Sequence, residues 1–155
     1  MGVIQTKVYL DTSVVSALFD ARNPERQSLT AEFFDQCQRF EVCVSELTIA
    51  EITRTPDEEL RQRMRDAVST FPVTPLDDAV QALASEYVAR GAIPANREED
   101  AYHVAVAVAV LGNVACLASW NFKHLVREKT RGIVNTVNAL RDLPQVRILT
   151  PAELL

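Results

Sequence analysis

The stretch Val8-Tyr9-Leu10-Asp11-Thr12-Ser13, near the N-terminus, constrains the fold more than any other part of the chain. Three apolar or aromatic residues with high strand propensity run directly into a carboxylate, and hydroxyl residues suited to a helix N-cap follow. The stretch predicts a buried strand that ends at Asp11 and a helix that begins immediately after it. In open α/β sheets, ligands bind beyond the carboxyl ends of the strands. Asp11 is therefore either a site residue or a simple cap of the next helix.

Strand-like and helix-like segments alternate along the rest of the chain. This alternation predicts a three-layer α/β/α fold with a central parallel sheet of four to five strands, and a single domain spanning residues 1–155. The predicted strands after the first cover residues 42–44, 71–73, 117–119 and 146–148. The predicted helices run to about residue 20, on to about residue 40, from Ser45, from Pro56, over 77–90 and over 132–141, with a terminal turn at 151–155.

The segment 101–111 allows two interpretations. Its alternating valines and alanines favour a β-hairpin that turns at Gly112-Asn113. However, the segment is long and rich in alanine, follows three consecutive acids at 98–100, and precedes a glycine where a helix C-cap belongs. We favour a wholly buried helix, with the hairpin as the alternative.

Charge and cysteine content limit the class of protein. The net charge of -5 argues against a protein that coats nucleic acid by bulk electrostatics, although it allows a local basic patch. Cys37, Cys43 and Cys116 are odd in number and lack C-x-x-C spacing, which predicts buried thiols and a cytoplasmic location. The chain has neither a secretory apolar segment nor a run of apolar residues long enough to span a membrane, so we expect no membrane association.

Polar residues recur at the ends of the predicted strands and at the starts of helices. They are Asp11 after the first strand, Glu51 after the second, Asp100 at the start of the buried helix, and Asn121 with His124 after the next central strand. Oxygen ligands gathered at one point repel each other unless a cation lies among them, and such clusters suit Mg²⁺ or Mn²⁺. The pattern therefore predicts a metal site. The alternative is that Asp11 and Asp100 decorate helix N-termini and that Glu51 is solvated.

Four segments resemble, in order and spacing, the four motifs of PIN domains, and especially the single-domain VapC-like toxins. The segments are VYLDTS at 8–13, VSELTIAEI at 44–52, DAYHVAVA at 100–107 and LASWNFKHL at 117–125. The resemblance implies a divalent-metal-dependent endoribonuclease that hydrolyses RNA phosphodiester bonds, as the toxin of a type II toxin-antitoxin pair. It also implies a homodimer and a small antitoxin protein as partners.

By the same resemblance, Asp11, Glu51 and Asp100 are catalytic and hold one or two Mg²⁺ or Mn²⁺ ions. A fourth acid usually follows the asparagine of the last motif by three residues, and that position is His124 here. This departure supports an alternative, a catalytically degraded PIN-fold module that binds RNA or a protein partner without cleaving. A phosphoaspartate phosphohydrolase is a weaker alternative, because residue 13 is serine rather than a second aspartate.

Three further residues are candidates for the periphery of the site. Ser13 is an expected N-cap that also touches the site. His103 follows Asp100 by one helical turn, so it either faces that carboxylate or is a core or interface histidine, which we favour. Trp120 either stacks on a nucleobase or packs in the core.

Overall fold

A five-stranded sheet in which all strand pairs are parallel forms the centre of this computed structural model, which describes residues 5–111 and 115–155. Its order is β3-β2-β1-β4-β5, which confirms the predicted parallel sheet. The strands are β1 (Lys7–Leu10), β2 (Glu41–Ser45), β3 (Val73–Thr74), β4 (Ala115–Ala118) and β5 (Arg147–Leu149).

Seven α-helices connect and cover these strands within the described residues. Five of them begin at a residue whose side chain accepts a hydrogen bond from the backbone of the first turn, as expected for Asp, Asn and Ser at N-caps. The helices are α1 (Thr12–Ala17), α2 (Pro24–Asp35), α3 (Glu46–Thr53), α4 (Glu58–Val68), α5 (Asp78–Ala89), α6 (Glu98–Leu111) and α7 (Glu128–Leu140). Short 3₁₀ turns lie at Cys37–Arg39, Ala95–Arg97 and Pro151–Leu154.

The two faces of the sheet contact different sets of helices. On β1, Val8 and Leu10 pack with buried residues of α1 to α4, while Tyr9 points to the other face and packs with α5, α6 and α7. This division follows from the two-residue period of a strand, which sends successive side chains to opposite faces. The predicted three-layer α/β/α architecture is therefore confirmed.

The alanine and valine segment is helical, as we favour from the sequence, and the hairpin alternative is wrong. Residues 104–108 of α6 are at most 2% exposed, so the middle of the helix is buried on all sides, whereas Glu98, Glu99 and Ala109 are exposed. The strand that follows, β4, pairs in parallel with β1 instead of folding back on the segment. The turn predicted at Gly112-Asn113 lies outside the described residues.

Several predicted boundaries are wrong by a few residues. Pro56 precedes α4 rather than starting it, because the Asp57 carboxylate accepts the Leu60 backbone N–H and so forms the N-cap. Gly132 lies inside α7, where an added Cβ would meet nothing within 4 Å, so this glycine marks no boundary. The first helix ends at 17 rather than 20, the second segment divides into α2 and a 3₁₀ turn, and β3 begins and ends one to two residues late.

The cysteines and helix lengths bear on the predicted compartment. Cys43 and Cys116 are buried free thiols, and burial raises their pKa to about 11 and about 12, respectively. Cys37 is also free but only half-buried. Among the described helices, none combines the length and the apolar character needed to cross a membrane.

The topology places a crevice at the carboxyl ends of β1 and β4. From β1 the chain builds the sheet outward through β2 and β3, and then adds β4 and β5 on the opposite side of β1. Ligand sites of open α/β sheets form where the strand order reverses in this way. Leu10 pairs with Ala118, so Asp11 and Ser119 leave the two strands side by side, with the Asp11 N–H donating to the Ala118 carbonyl at 3.3 Å.

Candidate active site

Asp11 lies at the centre of this crevice. Its carboxylate is 3% exposed and accepts hydrogen bonds from the Ser13 N–H (3.0 Å), the Ser13 hydroxyl (2.5 Å) and the Ser119 hydroxyl (2.6 Å). The side chain therefore caps α1 and also accepts a hydrogen bond from Ser119, which follows β4. The cap and the site interpretations of Asp11 are compatible.

A continuous chain of hydrogen bonds joins Asp11 to Asp100. The Ser119 hydroxyl that donates to Asp11 also accepts the Asn121 N–H at 2.9 Å. The Asn121 side-chain amide then donates to the Asp100 carboxylate at 3.2 Å. Both aspartates and Asn121 thus lie together at the carboxyl edge of the sheet, as their positions in the sequence predict.

Glu51 is held by a different partner, His103. The Nε2 atom of His103 lies 2.6 Å from the Glu51 carboxylate, and its Nδ1 atom lies 2.6 Å from the Tyr9 hydroxyl. Tyr9 contacts the Ser45 hydroxyl at 2.7 Å, which continues the buried polar network into β2. His103 is 2% exposed, so it is a core histidine that also contacts a predicted site residue.

The three carboxylates differ in their electrostatic surroundings. Burial raises the pKa of Asp11 and of Asp100, and the charge of Asp100 adds to the rise at Asp11. Burial also acts to raise the pKa of Glu51, but the hydrogen bond and charge of His103 outweigh it, so that pKa is lowered. Burial lowers the pKa of His103, yet the Glu51 hydrogen bond and the charges of the three acids raise it overall.

The donor atoms at Asp11 and Asp100 fit a hard divalent cation. Neither carboxylate forms an ion pair with a basic side chain within the described ranges, although Asp11 is buried and Asp100 is half-buried. Mg²⁺ is typically held by one or two carboxylates with waters completing its octahedron. No group of three His, Cys, Asp or Glu side chains in the part of the chain described is arranged to hold a metal, since Glu51 faces His103. The fit therefore rests on two carboxylates.

His124 lies next to this site without a side-chain partner. Its backbone N–H donates to the Asn121 side-chain oxygen at 3.0 Å, and its Nδ1 atom is buried with no hydrogen-bond partner among the described residues. Burial lowers the pKa of His124, with Arg97 and Lys123 acting in the same direction against the charge of Asp100. The imidazole is therefore predominantly neutral near pH 7.

Ser13 and Trp120 are connected beside Asp11. The Ser13 hydroxyl, which donates to Asp11, accepts the Trp120 backbone N–H at 2.9 Å. The indole ring is only 8% exposed, and its Nε1 donates to the Thr30 hydroxyl at 2.9 Å. This placement makes Trp120 a packing residue in the structure.

Ser119 is a site residue that the sequence pattern did not single out. Its hydroxyl is fully buried and joins Asp11 to Asn121. The available signal was its position directly after a central strand, which is the same rule that identified Asp11. The sequence places Ser119 at the end of the predicted strand itself, whereas β4 ends at Ala118.

An open acidic cleft gives access to the site. A cavity of about 340 Å³ is lined by Glu51, Asp100 and residues 95–99. Glu99, the neighbour of Asp100, is exposed and pairs with Arg54 at 3.2 Å. This pairing favours Asp100 over Glu99 as the site residue. The cleft is polar, open to solvent and rich in carboxylates.

Comparisons with known proteins agree with this architecture. Residues 8–118 match the family model described as PIN domain. The structure is similar to that of Mycobacterium tuberculosis VapC20, described as a sarcin-ricin loop cleaving toxin, with a TM-score of 0.52, 17% identity and coverage of 76% of this chain and 92% of that one. It is also similar to VapBC2 from Rickettsia felis bound to a DNA fragment from their promoter, with a TM-score of 0.54, 14% identity and coverage of 92% and 96%.

These findings differ in what they establish. None of the curated proteins matches the chain. At 17% and 14% identity the two solved structures show a shared fold. The family match extends from β1 to the end of β4. It includes Asp11, Glu51 and Asp100, whereas Ser119 and Asn121 follow it. Because it covers well over half of the sequence, the chain belongs to the PIN-domain family.

Proposed function

We propose that this protein is a divalent-metal-dependent endoribonuclease that hydrolyses RNA phosphodiester bonds, as the toxin of a type II toxin-antitoxin pair. The observation that carries the proposal is the hydrogen-bonded chain from Asp11 through Ser119 and Asn121 to Asp100. It lies at the switch point of the sheet, where ligands of open α/β sheets bind. Membership of the PIN-domain family supports the same assignment.

In this proposal Asp11 and Asp100 hold Mg²⁺ or Mn²⁺, with Glu51 as a third carboxylate. The bound cation supplies an activated water and stabilises the charge that develops on the phosphate. Ser13 and Ser119 fix the Asp11 carboxylate, and Asn121 fixes that of Asp100. These neutral donors orient the oxygens without supplying positive charge, so the acids keep their demand for a cation.

The proposed partners follow from the family and from the two similar structures. VapC20 is described as a cleaving toxin and VapBC2 as bound to promoter DNA, which supports a toxin that works beside a small antitoxin. We extend this to an RNA substrate, a homodimer and a cytoplasmic location for a single domain over residues 1–155. No membrane partner is proposed.

Cleavage of a mixed pool of single-stranded RNA tests the activity. We expect cleavage with Mg²⁺ or Mn²⁺, none with a chelator, and none by Asp11→Asn with either metal. Asp20→Asn is the matched control, because Asp20 is a more exposed aspartate that pairs with Arg22. Metal-independent cleavage, or full cleavage by Asp11→Asn, would contradict the proposal.

A second candidate is a PIN-fold module that binds RNA or a protein without cleaving it. The observation that favours it is the engagement of Glu51 by His103 together with the histidine at position 124. Under this alternative the wild type binds RNA but leaves it intact with every metal. Under this alternative His103→Gln would also leave RNA intact. If the protein is a nuclease, the wild type itself cleaves RNA.

A further inference from the structure

Phe122 is an exposed aromatic residue in the turn after β4, at the carboxyl edge of the sheet. Its side chain is 50% exposed, and it follows Asn121, whose amide holds Asp100. Its backbone N–H donates to the Trp120 carbonyl at 3.0 Å, so its backbone is part of a tight turn. An aromatic ring that is half exposed at this position is available for a ligand to stack on.

Arg26 lies against the same ring. Its guanidinium carbon is 5.6 Å from the centre of the Phe122 ring and 5.1 Å from that of Trp120, within the range of a cation–π contact. The two rings are themselves in contact, with centroids 6.2 Å apart. No hydrogen bond or ion pair involves the Arg26 guanidinium among the residues that the structure describes, so its donors are available to a ligand.

Of the two rings, only Phe122 is accessible. Trp120 is buried, and its indole N–H is bonded to Thr30, so it supports Arg26 from below. The sequence suggests two roles for Trp120, stacking on a base or packing in the core. The structure assigns the exposed surface to the phenylalanine two residues later.

We propose that Phe122 and Arg26 form a nucleobase-stacking subsite for single-stranded RNA, with Arg26 pairing with a phosphate of the same strand. This inference rests on the proposed function, since it concerns how RNA is positioned at the Asp11 and Asp100 site. Aromatic rings stack on every base, and a guanidinium pairs with phosphate oxygens through two parallel hydrogen bonds. The bases of an RNA duplex are not accessible to such a ring, so the subsite selects unpaired nucleotides.

The charge distribution favours nucleic acid over a protein partner at this surface. The whole chain has a net charge of -5, yet Arg97, Lys123 and Arg127 lie close enough to His124 to influence its pKa. Arg26, at the Phe122 ring, adds a fourth cationic side chain near the turn after β4. A phosphate backbone that crosses this turn meets positive charge.

Binding of a single-stranded RNA tests the subsite separately from cleavage. The probe is an end-labelled RNA of about 12 nucleotides containing all four bases, titrated with Asp11→Asn protein to prevent its cleavage. Combined with that substitution, Phe122→Ala should weaken binding about 10-fold, and Phe122→Tyr should restore it because the ring is kept. Leu140→Ala is the control, since Leu140 is an apolar side chain exposed elsewhere on the surface.

Removal of single bases from the probe locates the stacked nucleotide. One abasic position should weaken binding to protein that retains Phe122 and have no further effect in the presence of Phe122→Ala. Arg26→Gln should reduce the slope of log affinity against log salt by about 0.7, as expected for one lost phosphate contact to a single strand. Equal RNA affinity of the Phe122→Ala and Phe122→Tyr proteins would overturn the proposal.

Two outcomes separate this proposal from the nuclease assignment. If the otherwise wild-type chain cleaves RNA and Phe122→Ala alters neither affinity nor cleavage, the subsite is wrong while the nuclease stands. If the chain never cleaves but binding depends on Phe122 as described, the subsite stands and the nuclease is wrong. A change in self-association caused by Phe122→Ala, with unchanged RNA affinity, would show a protein contact instead and would overturn the subsite.

Discussion

The two sides of the candidate site satisfy their carboxylates in opposite ways. On one side, Asp11 and Asp100 accept hydrogen bonds from neutral serine and asparagine groups, and burial raises the pKa of both. On the other side, Glu51 contacts the buried His103, and its pKa is lowered. Among the described residues neither Asp11 nor Asp100 has an ion-pair partner, although the charge of His103 acts to lower both pKa values. Glu51 contacts His103 directly.

This difference indicates where a cation is most needed. A buried carboxylate without a compensating charge is unfavourable, so binding of Mg²⁺ or Mn²⁺ gains most at Asp11 and Asp100. Glu51 gains less, because a metal must compete with His103 for its oxygen. In the proposed function the metal would therefore bind mainly through Asp11 and Asp100, while Glu51 is held by His103.

The largest expected effect is that of Asp11→Asn. We expect loss of RNA cleavage by at least about 100-fold, because removal of a ligand should exceed the 10- to 100-fold typical of residues that only support one. The same change should raise the melting temperature of metal-free protein, since a buried uncompensated charge is removed. Activity assays and thermal unfolding in chelator measure the two effects.

One result would contradict the predicted gain in stability of Asp11→Asn. A lower melting temperature for metal-free Asp11→Asn would show that the carboxylate stabilises the fold as a cap more than its burial destabilises it. Asp20→Asn serves as the reference, because the pKa of Asp20 is lowered by Arg22 and its charge is solvated. That variant should keep its activity and show no gain in stability.

On the other side of the site, His103→Gln should destabilise the protein. Removal of one member of a buried, hydrogen-bonded charged pair costs about 3 kcal/mol, because the remaining charge is left without a partner. The free energy of unfolding measured in urea gives the effect, and a double-mutant cycle with Glu51→Gln isolates the pair. The cycle should show a coupling energy above about 1 kcal/mol. Additive losses would mean that His103 acts through Tyr9 instead.

The pH dependence of stability separates the contributions further. A histidine with a raised pKa contributes stability that is complete below its unfolded pKa, about 6.5, and lost as pH rises through the folded value. Asp11 and Asp100, whose folded pKa values are raised, also make metal-free protein less stable above those values. The unfolding free energy in chelator should therefore fall from about pH 6 to about pH 9. His103→Gln should flatten this fall, and an unchanged slope would contradict the role of His103.

The sequence was sufficient to predict the parts of the site that follow directly from strands. Asp11 and Asn121 follow β1 and β4, and parallel pairing of those strands brings their carboxyl ends together whatever the rest of the fold does. The helix boundaries at Pro56 and Gly132 were wrong because both residues are only local signals. The actual start of α4 depends on the Asp57 side chain, and that of α7 on packing.

The contacts between distant segments could not be predicted from local pattern. The Glu51–His103 pair joins α3 to α6, and the stack of Arg26 on Phe122 joins α2 to the turn after β4. Neither pair has a spacing rule, since both depend on how helices lie across the sheet. The burial of Trp120, whose indole N–H donates to Thr30 of α2, likewise depends on how α2 lies across the sheet.

The smallest expected effect concerns His124. It tests whether the turn after β4 belongs to the proposed metal site. His124→Asp would add a hard oxygen ligand beside Asp100 where a neutral imidazole now stands, so Mg²⁺ affinity should rise several-fold. Because burial lowers the pKa of His124, the imidazole gains its charge only below about pH 6.5, and the wild type should lose metal affinity there. His124→Asp should not acquire a positive charge, so its affinity should fall less between about pH 7.5 and about pH 5.5. Titration calorimetry of Mg²⁺ and Mn²⁺ into both proteins measures the difference. Identical affinities at both pH values would place His124 outside the metal site, which would then consist of Asp11 and Asp100 without the turn after β4.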